Sequence, residues 1–235
     1  MRKIPLQRRV IVTGATGFVG QHLIPRLLEH RHDVLAIARN ARKAQSFEWF
    51  NKVKFLSLDI SKGAAQLNIS AGMSLIHLAW SGLPNYNSGF HYEDNLPENY
   101  NFIKSCIKHG VSQVLATGTC FEYGFQSGAL ASSTKPYPKN SYGFAKDALR
   151  QQLEFLAKET SVNLQWARLF YMYGKGQNPK SILSQLDTAI DNGDPVFNMT
   201  GGEQLRDYLP VEAVAQQLLD LFLSGREGTY NVCSE

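Results

Sequence analysis

Two hydrophobic rhythms alternate along the chain. Short, largely β-branched apolar runs recur at Val10-Ile11-Val12, 33–38, 53–58, 74–78, 111–116 and 163–170. Between them, apolar residues return every three or four positions over 18–28, about 91–109 and about 141–159. Runs without polar alternation suit strands buried on both faces, and the longer spacing is the stripe of an amphipathic helix. The pattern predicts an α/β fold, a doubly wound parallel sheet with helices on both faces. Beyond Tyr173 the rhythm weakens. A helix near 181–192, a turn at Asp191-Asn192-Gly193-Asp194-Pro195, a helix over 211–224 and a strand at 229–232 are expected there. The division predicted is a sheet domain over 1–172 and a small C-terminal lobe over 173–235, with the chain crossing back.

The first strand-to-helix junction reads Thr13-Gly14-Ala15-Thr16-Gly17-Phe18-Val19-Gly20. Gly14 suits a tight turn, Gly17 lets the backbone approach a pyrophosphate, and Gly20 lets the helix pack close to its strand. A helix N-terminus adds free N–H groups and the positive end of its dipole. A plain turn uses glycine too, but the strand-turn-helix context points to a nucleotide held by Gly14, Thr16, Gly17, Phe18, Val19 and Gly20. The second strand ends Ala38-Arg39-Asn40, followed by Arg42 and Lys43, with no acid at the edge where an adenosine ribose is met. Arg39 suits a 2′-phosphate, so NADP(H) is favoured and NAD(H) is possible. Asp59, beside Ile60, is expected either to meet the adenine amino group or to cap a helix.

Tyr142 and Lys146 stand one helical turn apart in Ser141-Tyr142-Gly143-Phe144-Ala145-Lys146. An ammonium and an oxidised nicotinamide beside the phenol are expected to lower its pKa, making Tyr142 an acid/base. Thr119, at the end of the fifth strand, places a hydroxyl at the same sheet edge.

Composition narrows the classes. The chain has 235 residues, 43% hydrophobic and 19% charged, with a net charge of +4. Its basic clusters, Arg2-Lys3-Arg8-Arg9 and Arg39-Arg42-Lys43, lack interleaved aromatics, which argues against nucleic acid. Cys106, Cys120 and Cys233 lack metal spacing and fit a reducing compartment, so no metal and a cytoplasmic location are expected. The N-terminal apolar stretch is too short for a signal peptide, and no run reaches membrane-spanning length.

Together the motifs resemble the extended short-chain dehydrogenase/reductase family, the nucleotide-sugar epimerase, dehydratase and reductase group, over nearly the whole chain. Its Rossmann-like fold and G-x-x-G-x-x-G loop match Gly14 to Gly20. Ile76-His77-Leu78-Ala79 resembles its H-x-A segment beside the nicotinamide ribose. Asn95-Leu96 and Asn101-Phe102-Ile103 resemble N-V-x-G-T-x-N-L-L, with Glu98 and Asn99 in place of Gly-Thr. Thr119, Tyr142 and Lys146 fall on the catalytic residues. The resemblance implies a cofactor site completed by Ile60, Leu78, Ala79, Trp80, Asn95 and Thr117, and a nucleotide-sugar substrate.

Arg168-Leu169-Phe170-Tyr171-Met172-Tyr173-Gly174 and Arg206-Asp207-Tyr208-Leu209-Pro210-Val211 resemble R-L-F-N-V-Y-G and R-D-F-V-H-V. They imply substrate contacts from Tyr171, where asparagine is usual, and Arg206, beside Trp80, Cys120 and Phe121. Lys175 departs from a common proline. Dehydratases of the group carry T-D-E after the catalytic strand; Cys120 and Phe121 at those positions disfavour dehydration. The expected activity is reduction of a 4-keto-6-deoxyhexose linked to dTDP or CDP. The alternatives are a 4-epimerase and a non-catalytic NADP-binding sensor or scaffold. Relatives dimerise through the two long helices; Phe102, Ile103, Ile107, Leu149, Leu153 and Leu156 suit that interface or the sheet-facing stripe equally. The family runs on past the motif that Tyr230-Asn231-Val232 resembles, implying a truncated or minimal lobe.

Overall fold

Each predicted apolar run becomes a strand of one parallel sheet. The computed structural model describes residues 8–234; Arg2 and Lys3 of the first basic cluster, and the N-terminal apolar stretch through residue 7, lie outside them. The strands are β1 (Arg9–Thr13), β2 (Asp33–Ala38), β3 (Lys54–Ser57), β4 (Ser74–His77), β5 (Gln113–Thr119), β6 (Asn163–Leu169) and, last in the chain, β9 (Gly228–Val232). Their order across the sheet is β3-β2-β1-β4-β5-β6-β9. Adjacent residues of β1 feed opposite layers: Val10 and Val12 pack with α1 (Gly20–Glu29) and α6 (Val211–Ser224), while Ile11 packs with α3 (Leu96–Lys108) and α4 (Ser141–Thr160). Burial on both faces is why these strands read as unbroken apolar runs.

The fifth strand was expected over 111–116, yet the Val111 N–H closes the end of α3 on Cys106, and pairing with β6 continues to Thr119 opposite Leu169. The helix expected from about 91 begins as a wide π-helical turn, His91–Asn95, before α3 proper. A short helix, α2 (Ala41–Gln45), follows β2 and is capped by the Asn40 side chain.

Two three-residue strands, β7 (Tyr171–Tyr173) and β8 (Tyr208–Pro210), pair in parallel beside the main sheet. Between them lies α5 (Ile182–Asn192), none of whose residues is buried. The returning part of the chain, α6 and β9, joins the main layers: β9 pairs with β6, and α6 packs on α1. The 174–207 segment, with α5, joins β7 to β8 outside the main sheet. Among the described residues, no helix is long and apolar enough to cross a membrane.

Candidate active site

β1 lies between β2 and β4, so the connections leaving those strands part to opposite faces and open a crevice at their carboxyl ends. A cleft of about 250 Å³ occupies it, with Gly14, Thr16 and Gly17 on one side and Arg39, Asp59 and Ile60 on another. Leu78, Ala79 and Trp80 close its inner end. A larger hollow of about 620 Å³ lies at the opposite sheet edge, against Arg8, Arg9, Gln113 and Asn163, and includes none of the expected site residues.

The glycine loop is fixed by close approach. Gly14 has φ +68°, and a Cβ there would lie 2.9 Å from the Ala79 nitrogen, while a Cβ on Gly20 would lie 2.4 Å from the Gly14 oxygen. The start of α1 therefore sits directly on the turn. Val19, its N-cap, offers no side-chain cap, and the first turn holds no acid. Among the described residues, the Phe18 and Val19 N–H groups have no backbone acceptor. An uncapped helix N-terminus facing a cleft fits a pyrophosphate. Phe18, Val19 and Gly20 do not line the cleft.

The end of the cleft beside Arg39 carries mixed charge. Arg39 and Lys43 line it, and so do Asp59 and Glu98. Asp59 accepts from the Ser61 N–H at 3.2 Å, so it caps a turn while still facing the cleft. Burial raises the Glu98 carboxyl above its usual range, with the Asp59 and Asp94 charges adding to the effect. Asn95 and Thr117, expected in the cofactor site, do not line the cleft. The Asn95 amide donates to the Ser81 carbonyl at 3.0 Å and its oxygen accepts from the Ser81 hydroxyl at 2.7 Å. The Thr117 hydroxyl donates to the His77 carbonyl at 3.2 Å.

His77 ties the two central strands together: its Nδ1 lies 3.0 Å from the Thr13 hydroxyl and its Nε2 2.6 Å from the Asn99 amide oxygen. Burial, opposed by the Asn99 hydrogen bond and assisted by the nearby Lys146 charge, lowers its pKa to about 4. The Asn99 departure is thus absorbed by packing.

Thr119, Tyr142 and Lys146 converge, all buried. The Thr119 hydroxyl accepts from the Phe121 N–H at 3.3 Å and lies close to the Tyr142 phenol. The Lys146 ammonium donates to the Thr117 carbonyl at 2.8 Å and lies 4.1 Å from the centre of the Trp80 ring. The expected lowering of the Tyr142 pKa is reversed in the protein alone: burial raises it, and the Glu122 and Tyr86 charges act in the same direction. Burial also brings Lys146 down to about 7, against the pull of Glu122, so its charge is only partly present to stabilise a phenolate. The phenol is held protonated, as a proton donor.

The expected substrate residues gather over this group. The Phe121 ring lies 6.2 Å from that of Tyr142 and 6.3 Å from that of Tyr171. Arg206 donates to the Tyr171 hydroxyl, and its guanidinium lies 4.6 Å from that ring's centre. Burial pushes the Cys120 thiol up to about 11, partly offset by Thr119 and Arg206, so it stays protonated.

Tyr86, weighed from the sequence as a pocket wall, and Glu122, which sequence reasoning missed, complete the surroundings. Tyr86 packs 4.9 Å from Phe121, and its carbonyl accepts the Tyr142 N–H at 2.9 Å, fastening the 81–90 loop to the start of α4. Glu122, fully buried, accepts from the Thr119 N–H at 2.8 Å and from Arg168 Nε at 2.6 Å. Its spacing from Thr119 is that of a capping box, the one sequence signal that marks it. Among the described residues, no group of three or more His, Cys, Asp or Glu is placed to hold a metal.

A glycine-turned, uncapped helix N-terminus beside a Thr-Tyr-Lys group agrees with what comparison finds. A model of the NAD dependent epimerase/dehydratase family matches residues 10–233. The chain belongs to that family. It is 28% identical over 229 residues to a dTDP-6-deoxy-L-talose 4-dehydrogenase (NAD(+)) from Aggregatibacter actinomycetemcomitans, covering 96% of this chain and 84% of that protein. It is 25% identical over 240 residues to a dTDP-4-dehydro-6-deoxyglucose reductase from Escherichia coli, covering 96% and 76%. The fold matches a UDP-glucuronic acid 4-epimerase from Bacillus cereus, solved with UDP-glucuronic acid and NAD, at a TM-score of 0.82. That match has 21% identity and covers 97% of this chain and 78% of the other. This family member is thus an NAD-dependent type of enzyme with a Rossmann-like sheet.

Proposed function

We propose that the protein reduces the 4-keto group of a nucleotide-activated deoxyhexose of the dTDP- or CDP-linked kind, with NADPH favoured over NADH. The observation that carries this reading is a Tyr142 buried close to Thr119, its phenol kept protonated by that burial, with Cys120 and Phe121 where a dehydratase needs an acidic pair. The Aggregatibacter and Escherichia coli relatives act at the 4-position of dTDP-linked 6-deoxyhexoses, by their names, and supply the substrate class. The start of α1 would hold the dinucleotide pyrophosphate, Arg39 and Lys43 its adenosine end, and Lys146 its nicotinamide ribose. When bound, the reduced nicotinamide supplies the hydride.

In this reading the Thr119 hydroxyl orients the substrate carbonyl and Tyr142 donates the proton that its oxygen acquires. Arg206 and Tyr171 hold the nucleotide diphosphate, and the 174–207 lobe covers the sugar. Run backwards, with the oxidised nicotinamide as hydride acceptor, Tyr142 would take the proton from the alcohol. Three free cysteines fit a cytoplasmic setting.

We also place a second copy of the chain against α3 and α4. Phe102, Ile103, Leu149, Leu153 and Leu156 are buried against the sheet and cannot form that contact, whereas Phe144 (52% exposed) and Phe155 (67%) on α4 face outward. Incubation with NADPH and a panel of nucleotide-linked 4-keto-6-deoxyhexoses, with the product identified by NMR, tests the activity; isomerised product without net oxidation of cofactor would replace it with epimerisation.

A further inference from the structure

We propose that Trp80 and His91 are positioning residues for Lys146, holding its ammonium against an indole face at the inner end of the dinucleotide cleft. The inference rests on reading Lys146 as the cofactor-binding lysine. Lys146 is 2% exposed, and its ammonium has one hydrogen-bond acceptor among the described residues, the Thr117 carbonyl at 2.8 Å. The remaining partner is the Trp80 ring, 4.1 Å away at its centre. A desolvated ammonium over an indole face is the strong form of the cation–π interaction.

The indole is itself fixed by His91. Its N–H donates to His91 Nδ1 at 3.0 Å, while His91 Nε2 lies 3.0 Å from the Asn85 carbonyl. A carbonyl only accepts, so Nε2 carries the proton and Nδ1 is left with the lone pair that the indole needs. Burial, opposed by the Asn85 hydrogen bond and assisted by the Lys146 charge, holds the imidazole below its usual pKa, which keeps it neutral. The two rings lie nearly parallel, 6.2 Å apart and 23° inclined. Asn95 braces the same side: its amide is 3.3 Å from His91 Nδ1 and is pinned to Ser81. The π-helical turn over His91–Asn95 turns both side chains inward, an irregularity of a kind often found at functional sites.

Other charged and titratable groups also face Lys146 or its neighbours. Glu122 favours the ammonium and is itself held by Arg168 from β6. His77 sits at the end of β4, and Tyr142 lies on the same helix. The indole face therefore offsets part of the burial that draws Lys146 down to about 7.

The test follows the indole N–H signals of ¹⁵N-labelled, cofactor-free protein between pH 5.5 and 9 (roughly the neutral range spanned by His and perturbed Lys). The chain has three tryptophans, so Trp80→Phe assigns the signal by its loss. The Trp80 signal is expected to move with a midpoint near neutral pH, and Lys146→Met is expected to abolish that movement while leaving the fold intact. His91→Gln should shift the signal toward that of a weaker hydrogen bond. A Trp80 signal that does not titrate, or that titrates identically in Lys146→Met, overturns the proposal.

A second readout is NADPH binding followed by fluorescence across pH. Trp80→Leu should lose binding about one pH unit lower than wild type, because Lys146 discharges earlier, whereas Trp80→Phe keeps an aromatic face and holds the wild-type limb. Equal pH profiles for the Leu and Phe variants count against it. Wild-type protein that binds no NADPH would remove the cofactor reading alone, leaving the indole titration to decide this one.

Discussion

Arg168 Nε lies 2.6 Å from a carboxylate oxygen of Glu122, with the two side chains 2% and 0% exposed. The pair forms the floor beneath Thr119: Glu122 also accepts from the Thr119 N–H, and Arg168 donates to the Tyr123 hydroxyl at 2.9 Å. Breaking such a pair strands a buried charge, at a cost of about 3–5 kcal/mol. Glu122→Ala is expected to lose stability of that order in urea denaturation. Replacing both partners with apolar residues of similar volume should recover much of it. A Glu122→Ala loss under about 1 kcal/mol would show that the pair is dispensable.

His77 makes stability depend on pH. Its folded pKa is about 4 against an ordinary 6.5. Above pH 6.5 both folded and unfolded chains hold it neutral, so it contributes no pH dependence there. As pH falls from 6.5 toward 4, the unfolded chain takes a proton that the buried imidazole refuses, and the folded state loses about 3 kcal/mol. His77→Gln should flatten this part of the decline. Denaturation midpoints measured across that window check it, and an unchanged slope in the variant would contradict it.

Much of this was legible because the signals are local. The glycine loop, the apolar strands and the Tyr142–Lys146 spacing lie within single elements, where period and turn chemistry speak directly. The Glu122–Arg168 pair joins residues 46 apart in the chain, and nothing in either neighbourhood announces the partner. β7 and β8 are three residues each, too short for any period to register. The rise in the Tyr142 pKa was missed for a related reason. Helical spacing placed an ammonium beside the phenol, but only the packing of Trp80, Tyr86 and Phe121 around it sets how deeply both are desolvated.

Cofactor choice turns on the adenosine end of the cleft. Arg39 lines it, but Asp59 and Glu98 line it too, and they oppose a 2′-phosphate. If Arg39 supplies a charge-assisted hydrogen bond, Arg39→Ala raises the NADPH KM about tenfold and leaves the NADH KM nearly unchanged. Steady-state kinetics with both cofactors reads this out. Equal effects on the two would move the preference to NADH.

The outward faces of Phe144 and Phe155 predict association. Phe144→Glu with Phe155→Glu should convert a dimer to a monomer in light scattering coupled to size exclusion, without lowering the denaturation midpoint. Wild-type protein that is monomeric at all concentrations would remove this interface.

The central claim is tested most directly by comparing wild type with Tyr142→Phe, following loss of reduced-nicotinamide absorbance with a nucleotide-linked 4-keto-6-deoxyhexose and NADPH or NADH. The account predicts stoichiometric cofactor oxidation and a 4-hydroxy product with wild type, and turnover lower by about a hundredfold or more in the folded variant. No oxidation of either cofactor with any such ketone, or near wild-type turnover by Tyr142→Phe, would contradict it.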